Sequence, residues 1–165
     1  VVIPTFFCFA EAAPPGNAAA LKTIDEVIRD ARDGVETIDN EQLSKRIAAN
    51  PKLVLIDVRT KQEFDAGHLK GATWIERGVL EFTLARTLRD PDAEIILYCG
   101  KANRSALAAK ALKRMGYRNV KSHVGFEAWV EAGLPFHNFL GEARMIKLAK
   151  LNAATNPIDL YQDKK

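Results

Sequence analysis

Two short apolar runs, LVLIDV at 53–58 and EIILYC at 94–99, constrain the fold more than any other feature of this chain. A strand with water on one side alternates apolar and polar residues, whereas a nearly continuous apolar run needs cover on both faces. Two such runs separated by helical patterns point to parallel strands sandwiched between helical layers. The flanking segments agree. Residues 21–33 (LKTIDEVIRDARD) place Leu21, Ile24, Val27, Ile28 and Ala31 on one helical face, and Gly34 stops the run. Residues 36–39 read as a short extended piece. Asp39 is placed to cap a helix over 40–49, with Gln42 at the capping-box position, Leu43, Ile47 and Ala48 inward, and Asn50-Pro51 as the break. ATWIE (72–76) reads as a further strand, followed by a helix near 79–88. RSALAAKALKRM (104–115) reads as a helix with Leu107, Ala108, Ala111, Leu112 and Met115 apolar, stopped by Gly116. NVKSHV (119–124) is the expected last strand and FEAWVEA (126–132) the last helix of the domain, before Gly133. The expected fold class is therefore α/β with a mostly parallel sheet.

Composition narrows the function classes. At 165 residues and 47% hydrophobic, the chain can bury the core of one domain with modest extensions, which excludes disorder. Two cysteines exclude a disulfide scaffold. Lys and Arg number 24 against 21 acids, a net charge of only +3, and no basic cluster stands out, so no nucleic-acid partner is expected. No uncharged apolar run reaches the roughly 18 residues of a membrane span, and a water-soluble domain is expected.

The ends differ from the middle. Residues 1–20 (VVIPTFFCFAEAAPPGNAAA) carry one charge, an apolar head and a Pro/Gly/Ala tail. An apolar stretch ending in Ala10-Glu11-Ala12 reads as a secretory signal remnant, with a flexible tail as the alternative. The first reading implies a periplasmic or secreted protein and leaves Cys99 as its single thiol; otherwise the protein is cytoplasmic. Residues 21–35 form the expected N-terminal helix and 36–136 the domain proper. Over 137–165, Phe139, Leu140, Met145, Leu148 and Leu151 give an imperfect helical stripe, with Arg144, Lys147 and Lys150 on another side. A helical extension is expected there, packed on its own domain or a partner rather than on a membrane, with the N-terminal helix offering the surface it needs.

The chemistry-bearing residue is Cys99. Ligand sites of open parallel sheets lie at the carboxyl ends of the strands, and Cys99 ends the second apolar run. Gly100, Lys101, Ala102, Asn103, Arg104 and Ser105 then lead into the alanine-rich helix. A short loop curling into a helix N-terminus presents unpaired backbone N–H groups and the positive end of the helix dipole. With Lys101 and Arg104 alongside, these features favour the thiolate of Cys99 and would hold an anion close to its sulfur. A buried, inert core cysteine is the alternative.

Three motifs, in order, make the chain resemble the single-domain rhodanese sulfurtransferase family across roughly 36–136. The first is Asp57-Val58-Arg59, continuing through Glu63-Phe64 to Gly67-His68-Leu69-Lys70-Gly71-Ala72. The second is the loop from Cys99 to Arg104 with Ser105 behind it. The third is Gly125-Phe126-Glu127-Ala128-Trp129 with Gly133-Leu134-Pro135. The resemblance implies a five-stranded, mostly parallel sheet with helices on both faces and a catalytic cysteine that cycles through a persulfide. Cys99 and Arg104 enclose four residues, as in rhodaneses, whereas the related dual-specificity phosphatases and arsenate reductases enclose five. One departure is Val124, where the family often has a first glycine before the aromatic residue.

On this reading Cys99 takes the outer sulfur of a small anion such as thiosulfate and passes it to a thiol, cyanide or a protein acceptor, with no metal and no organic cofactor. The three His and two Cys show no zinc-type spacing. Arg104 either binds the anion or holds the loop through carboxylate partners, and Lys101 is the better candidate for anion contact. Asp57 and Arg59 either approach the loop or form a structural ion pair fixing a turn. Ser105 either bonds the sulfur or caps backbone groups. His68 reads as structural, His123 as a satisfied polar residue with a site role as the alternative, and Trp74 and Trp129 as core or pocket wall. The competing function is a non-catalytic rhodanese-like module that binds a protein partner.

Overall fold

The structure, a computed structural model, describes residues 21–145; the readings of residues 1–20 and 146–165, including Cys8, Leu148 and Leu151, lie outside the described residues. In chain order the elements are α1 (Ile24–Arg32), β1 (Thr37–Ile38), α2 (Asn40–Ala49), β2 (Val54–Asp57), α3 (Lys61–Ala66) and β3 (Thr73–Trp74). A 3-10 turn (Arg77–Val79) then runs into α4 (Leu80–Thr87), followed by β4 (Ile95–Tyr98), α5 (Asn103–Arg114), β5 (Val120–His123) and α6 (Phe126–Glu131). A hairpin of β6 (Phe136–Asn138) and β7 (Gly141–Ala143) follows.

The two apolar runs are β2 and β4, paired in parallel from Val54 opposite Ile95 to Asp57 opposite Tyr98. They lie inside a five-stranded parallel sheet of order β1-β5-β4-β2-β3. Alternation along the strands divides the core in two. Ile95, Leu97 and Cys99 face α4 and α5, packing with Ile56, Val58, Leu84 and Leu112. Ile96 and Tyr98 face the other way, toward Leu43 of α2 and Trp129 of α6. The register of β4 therefore places the cysteine on the face covered by α5, the helix that its own loop begins.

Helix starts follow the sequence closely. Asp39 accepts from the Gln42 N–H at 2.8 Å while the Gln42 side chain accepts from the Asp39 N–H at 3.0 Å. Thr23 with Glu26 and Thr60 with Glu63 make the same reciprocal cap on α1 and α3. Each such cap contributes about 1 kcal/mol.

Two expectations are corrected. The apolar stripe of 21–33 is not buried as a whole: Leu21 and Ile24 are exposed and Ala31 alone is buried in α1, because the helix meets the body chiefly through its packing along α5. The extension beyond 136 does not begin as a helix. Residues 136–143 form the β6–β7 hairpin, and Phe139 and Leu140 lie exposed at its tip. The backbone of His137 exchanges two 2.8 Å hydrogen bonds with His68, and the Phe136 ring packs edge-on against Phe126 with centroids 5.7 Å apart. Gly141 supplies the positive φ of +112° at the turn, and Asn138 Oδ1 accepts from the Leu140 N–H at 2.9 Å. These pairings outweigh a weak helical stripe. The hairpin sits by α3 and α6, and the N-terminal helix packs along α5 instead.

Candidate active site

The site is built where β4 becomes α5. Cys99 is 1% exposed at the strand end, and the chain turns into α5 within three residues. Ala102 makes this turn: its φ of +64° is the one positive value at a non-glycine residue among those described. A left-handed alanine is strained by about 1–2 kcal/mol. Followed by a helical residue, it forms a concave array of backbone N–H groups of the type that binds anions. No side chain caps α5, and the N–H groups of residues 100–105 have no acceptor among the described residues.

Three carboxylate or backbone clamps hold this loop. On one side α6 grips its main chain: the Phe126 N–H donates to the Cys99 carbonyl at 2.7 Å and the Glu127 N–H to the Gly100 carbonyl at 3.2 Å. Contact is so close that a Cβ on Gly125 would lie 2.2 Å from the Gly100 carbonyl oxygen. On the other side Glu63, opposite in the fold on α3, receives both arms of the Arg104 guanidinium at 2.6 and 2.7 Å. Hydrogen bonds from Arg104, ahead of those from Thr60, lower the Glu63 carboxyl to about 2. Glu63, with a smaller contribution from the nearby Cys99, raises Arg104 well above its usual value. Above the loop, Lys101 is largely exposed with Nζ 3.4 Å from Glu127, and Asn103 Oδ1 accepts from Arg32 of α1 at 2.8 Å.

Beneath the loop lies a buried hydroxyl pair. Ser105 Oγ is 3.7 Å from the Cys99 sulfur and 2.8 Å from Ser122 Oγ, and both serines are fully buried. This geometry joins Ser105 to the sulfur.

The remaining sequence candidates fall around the loop. Asp57 and Arg59 form a buried ion pair closing the turn after β2, with Nη2 of Arg59 2.6 Å from Asp57 Oδ2 and 2.6 Å from the Gly67 carbonyl. Arg59 lies 4.2 Å over the Phe126 ring, so the pair touches the loop only through the residue that grips Cys99. His68 stacks on Phe64 and bonds its carbonyl. His123 is fully buried; Nδ1 accepts from the Gly125 N–H at 3.2 Å and Nε2 meets Asn40 Oδ1 at 2.9 Å. Burial lowers its pKa to about 4 and keeps it neutral. Trp74 and Trp129 donate to the Arg59 and Pro135 carbonyls.

Four contributors were missed in the sequence: Glu63, Ser122, Glu127 and Arg32. Glu63 and Glu127 stand inside the first and third motifs, and Glu63 at the capping position of α3 carried a local signal. Ser122 and Arg32 carried none, since their partners lie 17 and 71 residues away.

Residues 39–132 match the Rhodanese-like domain family. A sulfurtransferase of Allochromatium vinosum is 31% identical over 102 residues, 61% of this chain and 94% of that protein. Among solved structures, the polysulfide-sulfur transferase homodimer of Wolinella succinogenes is 30% identical with a TM-score of 0.61, covering 69% of this chain and 86% of the other. A Rhodopseudomonas palustris protein described as a possible tyrosine phosphatase has a TM-score of 0.62 at 28% identity, over 74% of this chain and 98% of the other. The parallel sheet, the loop carrying Cys99 and these matches lead to one conclusion: the chain belongs to the rhodanese-like sulfurtransferase family.

Proposed function

We propose that the protein moves sulfane sulfur from an anionic donor such as thiosulfate to a thiophilic acceptor through a persulfide on Cys99. The observation that carries this reading is the juxtaposition of the Cys99 sulfur with residues 100–105, whose N–H groups have no acceptor among the described residues. In the first step the Cys99 thiolate attacks the outer sulfur of thiosulfate. A Cys99 sulfur–sulfur bond forms, the sulfur–sulfur bond of the donor breaks, and its electron pair leaves with sulfite. The outer persulfide sulfur carries a negative charge, and the preformed N–H array stabilises it without reorganisation. In the second step an acceptor thiolate or cyanide attacks that outer sulfur and the pair returns to Cys99. The scheme is ping-pong with one covalent intermediate. Arg104, held by Glu63, keeps the start of α5 in place; Lys101 and Asn103 line the approach.

Intact mass after thiosulfate and then cyanide tests this. Wild type should gain about 32 Da, the mass of one sulfur, and lose it to cyanide, and Cys99→Ser should gain nothing. Native, reduced protein that takes no sulfur from thiosulfate or polysulfide would leave the non-catalytic binding module as the better reading. Turnover of an aryl phosphate instead would point to phosphatase chemistry at the same loop. We further propose export, on the composition of residues 1–20; cell fractionation with N-terminal sequencing of the mature chain tests it.

A further inference from the structure

The cations at the loop are not equally available. Arg104 is engaged by both oxygens of Glu63, and Lys101 lies beside Glu127. Each formal positive charge that the loop brings therefore has a carboxylate next to it. Arg32 differs. It lies in the last turn of α1, outside residues 39–132 that match the family. Its Nη2 donates to Asn103 Oδ1 at 2.8 Å, and it makes no ion pair among the described residues. A guanidinium has five N–H donors, so most of this one remains available to an anion.

The helix that carries Arg32 is anchored. Ala31 is 2% exposed against the body, Lys113 Nζ donates to the Gly34 carbonyl at 2.7 Å, and Lys110 donates to the Asp30 carbonyl. Among the described residues the acids nearest to it in sequence do not neutralise it: Asp30 pairs with Lys22, and Asp33 makes no ion pair. An uncompensated cation is thus fixed at the first residue of α5, on the rim of an array whose proposed substrates are anions.

We propose that Arg32 is a specificity-determining residue, a cation that the N-terminal helix supplies to the loop to select anionic sulfane donors over neutral ones. Thiosulfate-like oxyanions and polysulfide chains share the required negative charge. This inference rests on the sulfurtransferase reading for its substrate class, but its electrostatic content can be tested separately. Iodoacetamide and iodoacetate alkylate a thiolate at the same kind of carbon with the same leaving group, and differ by one negative charge.

The test compares alkylation rates of Cys99 by both reagents in wild type, Arg32→Gln and Arg32→Glu, using the full chain. At low ionic strength the iodoacetate-to-iodoacetamide ratio should fall about five-fold in Arg32→Glu, with Arg32→Gln between, as expected for reversing one charge, a change of two units, across partly solvated space. In about 1 M salt, where the screening length is about 3 Å, the three ratios should converge. With thiosulfate as donor, KM should rise in Arg32→Glu while kcat holds. An unchanged ratio overturns the inference, and so does an equal loss with both reagents, which is what a disturbed loop would give. A shifted ratio in a protein that takes no sulfur would uphold anion selection by Arg32 and reject the sulfurtransferase reading. Sulfur uptake with an unshifted ratio would do the reverse.

Discussion

Glu63 accepts both arms of the Arg104 guanidinium, at 2.6 and 2.7 Å, across 41 residues of sequence. The same carboxylate caps α3 through the Thr60 N–H at 3.0 Å. One side chain thus ties the turn after β2 to the start of α5. Glu63→Gln should keep the cap in part but lose the charged, two-armed grip, lowering the rate of sulfur uptake by about ten-fold while the fold persists. The rate of the 32 Da mass gain (about one sulfur) measures it. The carboxyl is held at about 2 against an ordinary 4.5, so its contribution to stability is complete above 4.5 and is lost as pH falls toward 2. Acid denaturation should therefore be less steep between those values in the variant than in wild type. Uptake equal to wild type would remove Glu63 from the positioning of the loop.

Gly125 carries a second prediction. Its φ is +119° and an added Cβ would meet the Gly100 carbonyl oxygen at 2.2 Å. Gly125→Ala must push the loop away from α6, costing about 3 kcal/mol in stability and most of the sulfur uptake. Val124 is the contrast. It is absent from the positive-φ residues, and its N–H bonds the Ile38 carbonyl at 3.0 Å. Val124→Gly should leave uptake within about two-fold of wild type, since no glycine-only conformation is needed there. Denaturant midpoints and mass-gain rates of the two variants distinguish them.

Much of this was legible in the sequence because it is local. The continuous runs at 53–58 and 94–99 forced cover on both faces, and the caps at Asp39 and Gly116 lie within four residues of what they terminate. Cys99 was legible because strand end, glycine and helix start follow one another directly. What escaped was fixed by contacts between distant segments. Leu21 and Ile24 have the right period for a buried face, yet period does not say how far along α5 the helix will lie. Residues 136–143 have weak helical spacing, yet pairing with His68 and packing on Phe126 decide their form. In α5 the buried residues include Ala106 and Ala109 rather than Met115, because small side chains let the helix approach the sheet closely. The partners of Arg104 and Asn103 could not be read from spacing at all.

Asp57 and Arg59 supply a third prediction. Both are nearly inaccessible, at 0% and 4% exposed, and Arg59 also reaches the Gly67 carbonyl and the Phe126 ring. Asp57→Asn leaves a buried guanidinium without its countercharge and should destabilise the fold by about 3 kcal/mol. If the pair only shapes the turn, an apolar double replacement, Asp57→Leu with Arg59→Met, should recover much of that loss and retain sulfur uptake within about ten-fold. Recovery of stability without uptake would instead place one of the two in the chemistry.

His123 gives the last prediction, one of pH dependence. The ring is fully buried between β5 and α2, accepting from the Gly125 N–H and bonding Asn40, whose side-chain amide also donates to the Ala128 carbonyl at 3.0 Å. Protonation would put a hydrogen on the nitrogen that accepts from Gly125 and a charge into the core, and burial accordingly lowers the pKa from 6.5 to about 4. The unfolded chain takes up its proton near 6.5 while the native protein resists until about 4, so stability from this group is complete above 6.5 and declines as pH falls to 4. The full loss is about 3 kcal/mol. The carboxylate of Asp39 acts weakly in the opposite sense, favouring the charged form. His123→Gln keeps a polar side chain but cannot titrate. Its denaturant midpoint should fall less than that of wild type between pH 6.5 and 4, and the difference between the two curves isolates the histidine from every other titrating group. Parallel curves would mean that the ring charges in the native protein as readily as in the unfolded one, and that the Gly125 turn does not depend on its neutral form.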